Sequence, residues 1–183
     1  ALEKTAIGDA AESFIAGIRR DTMEWAGLFD GSLSMDAAMA ALIGSGRQLM
    51  GIMRSPDFGA NWQSTGAAPA VNAGGQASIH FSFAADASGD NIFVAGDRQA
   101  AAPFVGNVFQ GIRNTVTNTW TFTSVALTPG AAGVNGTAPH ADSREMAFDV
   151  NGNLLQVDDG GVYRLNNPLN GAGPARQWVS LNG

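Results

Sequence analysis

The chain has 183 residues, 45% of them apolar and 14% charged, with 24 glycines, no cysteine and a net charge of −6. That length and apolar share suffice for one globular domain with a sizeable core, and the Gly-rich, charge-poor mix favours an all-β fold. The same balance excludes a disulfide scaffold, thiolate metal centres and Cys nucleophiles, and argues against nucleic acid or anionic membrane as partners, which need clustered cations. No apolar run approaches the roughly 20 residues of a membrane span. The chain opens Ala1-Leu2-Glu3-Lys4, with neither an initiator Met nor signal-peptide character, and reads as a piece of something longer.

Four tryptophans punctuate the sequence, Trp25, Trp62, Trp120 and Trp178, the last three at equal intervals. Each follows a polar or turn-forming segment and opens a short β-prone run. They divide the chain into approximate units 1–33, 34–66, 67–127 and 128–183. In the first unit a degenerate hairpin joins Ala6-Ile7-Gly8-Asp9 to Phe14-Ile15-Ala16-Gly17, with too little chain for a clear third strand. In the second, Ala40-Ala41-Leu42-Ile43 turns through Gly44-Ser45-Gly46 into Leu49-Met50-Gly51-Ile52, and a third strand covers 50–54. Good helix formers fill 9–20 and 34–49, but glycines at 8, 17, 27, 44, 46 and 51 interrupt at strand-turn intervals, so strands are expected there as well.

The third unit places Phe83-Ala84-Ala85 and Ile92-Phe93-Val94-Ala95 on either side of the turn Asp86-Ala87-Ser88-Gly89-Asp90. The fourth repeats this as Met146-Ala147-Phe148, Asp149-Val150-Asn151-Gly152-Asn153 and Leu154-Leu155-Gln156-Val157. Both turns carry the residues of a tight hairpin. Third strands follow over 108–113 and 162–165, and then the Trp strands. Strand, hairpin, strand, third strand, turn and Trp strand compose a four-stranded antiparallel blade, in which the small Ala84, Ala85 and Ala147 suit an inner strand beside a central channel. Segments 98–106 and 128–142 break the period and are expected as connecting loops at the ends of the fold.

Ser55-Pro56-Asp57-Phe58-Gly59-Ala60-Asn61-Trp62 reads S-x-D-x-G-x-x-W. It resembles the Asp-box of β-propeller blades, lacking only the usual Thr before the Trp, where Asn61 stands. Pro139-His140-Ala141-Asp142, with Asp158-Asp159-Gly160-Gly161-Val162-Tyr163-Arg164 after it, resembles the H-x-D … D-G-G-V-Y-R segment of xyloglucanase-type and sortilin-like propellers. It is also similar to propellers inside long secreted bacterial proteins that carry calcium repeats elsewhere. The resemblance implies a β-propeller segment of about four four-stranded antiparallel blades. Such propellers close with more blades than this chain supplies, which implies completion by other blades or by a second chain. It further implies a secreted, extracellular or periplasmic setting, and a turn-stabilising role for Ser55, Asp57, Gly59 and Trp62.

His140, Asp142 and Arg144 stand together just before an inner strand, at a channel end where they would bind a polar ligand or anchor the loop. His80 opens the matching strand of the third unit and reads as structural. Glycoside hydrolysis needs two carboxylates facing across a cleft, and Asp142 and Asp158 are the pair to test. A sialidase would need converging arginines and a Tyr nucleophile, whereas Tyr163, the one tyrosine, falls in an expected third strand. Asp149, Asn151 and Asn153 have calcium-like spacing, but the loop positions that need Gly and Glu hold Leu154 and Gly160, so a hairpin without metal or cofactor is expected. Phosphate loops, dinucleotide fingerprints and hydrolase elbows are missing. The expected function is a non-catalytic interaction or scaffold module binding protein or glycan. The alternative is part of a xyloglucanase-like hydrolase, and docking on a larger complex rests on fold analogy alone.

Overall fold

A computed structural model describes residues 52–56, 61–77, 79–125, 137–169 and 176–183, together with backbone strands over 5–6, 12–14, 17–18, 23–29, 37–43, 48–51 and 135–136. Every regular element among them is a β-strand. Strands β1 (Thr5–Ala6), β2 (Glu12–Phe14), β3 (Gly17–Ile18), β4 (Met23–Phe29), β5 (Ala37–Ile43), β6 (Gln48–Ser55) and β7 (Gln63–Ser64) form one seven-stranded sheet. The β4–β5 ladder therefore crosses the 33/34 boundary between the first two sequence units. The described parts of the segments rich in helix formers are strands, and they pair with one another or with β4.

Strands β8 (Ser82–Ala85), β9 (Asn91–Arg98), β10 (Gly106–Asn114) and β11 (Thr119–Ser124) form a four-stranded antiparallel meander. Strands β13 (Glu145–Phe148), β14 (Leu154–Asp158), β15 (Gly161–Asn166) and β16 (Gln177–Ser180) form a second one, with the short β12 (Asn135–Gly136) running parallel to β16 at its edge.

The two first hairpins close alike. Asp86 Oδ1 accepts from the amides of Asp90 (3.2 Å) and Asn91 (3.1 Å), and Asp149 Oδ1 accepts from those of Asn151 (2.8 Å) and Asn153 (2.9 Å). In each, an Asn side-chain amide reaches the second oxygen: Asn91 to Asp86 and Asn153 to Asp149, both at 3.0 Å. Gly89 and Gly152 take φ of 67° and 77°, a region open to glycine at little cost. These are Asx turns in which a short carboxylate replaces missing backbone pairing.

Alternation sorts each sheet into two faces. Ala84, Phe93, Ala95 and Val108 of the β8–β11 sheet pack with Val125 against Met146, Leu154, Tyr163, Leu165 and Trp178 of the β13–β16 sheet. On the opposite face, Ile92 and Val94 pack against Ile52, Val71 and Ala77. The β8–β11 sheet thus has Ile52 of β6 and the 71–77 loop on one face and the β13–β16 sheet on the other. The fully buried Trp178 is the wedge between the last two: its indole N–H donates 2.8 Å to the Val125 carbonyl. Buried Arg176 adds a second bridge, Nη1 to Gln110 Oε1 at 2.8 Å.

Asp97, fully buried at the end of β9, ties down the 71–76 loop. Its Oδ2 accepts from the amides of Gly74 (2.7 Å) and Gln76 (3.0 Å), its Oδ1 accepts from Arg98 N, and its own amide donates to Val71 O at 3.0 Å.

Candidate functional site

The strands β8 and β13 lie next to one another, and the loops that lead into them carry the polar cluster. Residues 139–143 run along the end of β9, where Gly106 N donates to Pro139 O, Asp142 N to Asp97 O and Ser143 N to Gly96 O, at 2.8 to 2.9 Å. The Ser143 and Ser82 hydroxyls meet at 2.5 Å. This backbone docking holds Asp142 at φ 68°, a region sparsely used by residues other than glycine.

The structure sends His140, Asp142 and Arg144 to three different partners. Asp142 Oδ1 lies 3.7 Å from Nε2 of the buried His80, an electrostatic contact rather than a hydrogen bond. The other ring nitrogen of His80, Nδ1, is buried without a hydrogen-bond partner. Arg144 reaches across the sheet to Asp159, with Nε at 2.9 Å and Nη2 at 2.7 Å from Oδ1, which holds the Asp159 carboxyl below its ordinary range. His140 is exposed and lies against Gly160, where an added Cβ would stand 2.5 Å from His140 Cβ and 2.8 Å from the Tyr163 hydroxyl.

Asp158 is buried at the end of β14. Gly160 N donates to its Oδ1 at 2.9 Å and Gln156 Nε2 approaches its Oδ2 at 3.3 Å. Burial pushes its carboxyl up to about 6, against hydrogen bonds from Gly160 and Gln156 and the influence of His140. Burial also raises the Tyr163 hydroxyl, with the Asp158 charge adding to the effect. Among the described residues no hydrogen bond or ion pair joins Asp142 to Asp158. Gln156 is fully buried and its Oε1 has no hydrogen-bond partner.

Burying this carboxyl makes stability depend on pH. With a folded value near 6 and an ordinary value of 3.8, Asp158 contributes its full stability below about pH 4 and loses it as pH rises through 6. The difference between those two values corresponds to about 3 kcal/mol. Asp158→Asn keeps an acceptor for Gly160 N but cannot ionise. Wild type is therefore expected to lose about 3 kcal/mol relative to this variant between about pH 4 and 7.5 in urea unfolding. Parallel pH profiles would show that Asp158 ionises without cost.

Of the four residues expected to stabilise a turn at 55–62, Ser55 ends β6 and is fully buried, and Trp62 is half-buried just before β7. Asp57 and Gly59 lie outside the described residues. The segment that contains them joins two antiparallel paired strands, with Met53 opposite Ser64 and Arg54 opposite Gln63. At Asp149, where calcium-like spacing occurs, the side-chain and backbone amides of Asn153 lower the carboxyl pKa. Among the described residues no group of three or more His, Asp or Glu side chains is placed to hold a metal ion. Nor is any helix among them long and apolar enough to cross a membrane.

Sequence reasoning passed over several polar groups that the fold buries, among them Asp97, Gln110, Gln156 and Arg176. A signal existed for Gln156. It sits between Leu154 and Asp158 at every second position, so one face of β14 had to bury all three. When the chain is compared with protein families, with curated proteins and with solved structures, none matches it.

Proposed function

We propose that the chain is a non-catalytic scaffold or interaction module, an Asp-box propeller segment of a secreted bacterial protein that binds protein or glycan. The observation that carries this reading is where the acidic side chains go. Asp86, Asp149 and Asp158 accept turn amides, and Asp97 pins a loop. Carboxylates held this way build turns and are not presented to a substrate. The propeller reading draws support from two successive meanders with a Trp in each fourth strand and neighbouring first strands. The Asp-box segment, joining a pair of antiparallel strands, adds to it.

One observation favours the hydrolase reading. A carboxyl raised to about 6 beside Tyr163 and His140 has the protonation of a general acid near neutral pH. Electrophoresis through native gels containing a soluble β-glucan separates the readings. The module retards in the gel and leaves the polymer at its starting length. Shortened polymer would overturn the non-catalytic reading.

A further inference from the structure

We infer that the outward face of the β13–β16 sheet is a self-association surface that takes the same face of a second copy of this chain. The inference deepens the interaction-module reading above, on which it rests, by naming one partner.

In the β8–β10 ladders Ser82 pairs with Ala95 and Ala95 with Val108, while Ala84 pairs with Phe93 and Phe93 with Gln110. In the β13–β15 ladders Glu145 pairs with Val157 and Val157 with Val162, while Ala147 pairs with Leu155 and Leu155 with Arg164. The two grids superpose position by position. The first grid is covered: Phe93, Ala95 and Val108 are 0% exposed beneath the following sheet. The second grid belongs to the last described sheet and points away from its neighbour, since Met146, Leu154, Tyr163 and Leu165 point inward. Val157 is 39% exposed there, and Leu155, Val162 and Val179 are half-buried. The chain thus repeats, on an open face, the apolar pattern it covers one layer earlier.

The polar corners identify the occupant. On the covered grid, Ser82 meets the Ser143 hydroxyl and Gln110 meets Arg176, both supplied from the covering side. On the open grid these corners are Glu145 and Arg164, of opposite sign. Arg164 Nε is buried without a hydrogen-bond partner, and the carboxylate near it, Asp149, already has both oxygens engaged in its turn. A partner with a cation opposite Glu145 and an anion opposite Arg164 complements this face. The corners stand two residues and two strands apart, about 12 Å. A two-fold axis through the Leu155–Val157 centre lays Glu145 of each copy over Arg164 of the other, as an isologous interface requires. Apolar side chains meet between them.

Sedimentation of the full chain over a range of concentrations tests this. A dimer at twice 18.8 kDa is expected. Arg164→Glu and Glu145→Arg each place like charges together and weaken the dimer by at least about tenfold. Mixed in equal amounts, the two variants pair again, because each now supplies what the other lacks. Leu155→Ser, which changes no charge, weakens the dimer without recovery on mixing with either. A chain that stays monomeric, a dimer that ignores these substitutions, or a mixture that stays apart overturns the proposal. A monomer would leave the non-catalytic reading standing, and polymer shortening in the gel would leave the dimer face standing, so the two failures are distinct.

Discussion

Trp178→Ala is expected to lower the unfolding free energy by about 3–5 kcal/mol, read as a drop in the urea midpoint at unchanged slope. The side chain is fully buried between two sheets, so its removal leaves a void that neither sheet fills alone. It also strands the Val125 carbonyl, which accepts the indole N–H at 2.8 Å. Trp178→Phe restores most of the volume but not the donor, and is expected to lose about 1–2 kcal/mol. Trp120 provides the contrast. It is half-buried and stacks on Phe122 with ring centroids 6.5 Å apart, so Trp120→Ala is expected to cost less than half as much. Equal losses at the two sites would show that Trp178 is not the wedge between the sheets.

Asp97→Ala ranks next, at about 3 kcal/mol. The change leaves the amides of Gly74, Gln76 and Arg98 without their acceptor. It thereby loosens the loop whose Val71 packs against β9. Asp97→Asn keeps one acceptor but turns an N–H₂ toward amides that need oxygen, so it recovers only part of the loss. Amide exchange locates the effect: Gly74 and Gln76 exchange faster in the variant while β14 amides do not. Uniform acceleration would mean that Asp97 supports the whole domain rather than this loop.

How much was legible in sequence follows from the range of the forces involved. The Asp86 and Asp149 hairpins depend on contacts within five residues, and their turn residues announce them. The strands over 108–113 and 162–165 are marked by β-prone Val, Phe, Ile and Tyr, and the structure has β10 and β15 there. Pairing between distant segments leaves no such mark. Trp120 and Trp178 look like matched positions, yet Trp120 pairs with Arg113 while Trp178 pairs with Leu165. By ladder position Trp178 stands where Phe122 stands in the earlier sheet, opposite Gly111. An offset of two residues keeps the face, so alternation alone cannot reveal it. The β4–β5 pairing across the first unit boundary and the parallel β12 edge are likewise long-range choices. At the candidate site, adjacency in sequence misled: His140, Asp142 and Arg144 are two residues apart but turn to Gly160, His80 and Asp159. Asp97 gave no warning beyond a charge at the end of an apolar strand.

The central claim is that this chain's carboxylates serve its scaffold rather than a reaction. The most direct test is the release of reducing ends from soluble β-glucans across pH, with the wild-type chain beside Asp142→Ala and Asp158→Asn. No release above buffer is expected at any pH for all three. Release by wild type with a pH limb near 6 that disappears in Asp158→Asn would contradict the claim, and would make Asp158 the general acid of a glycoside hydrolase.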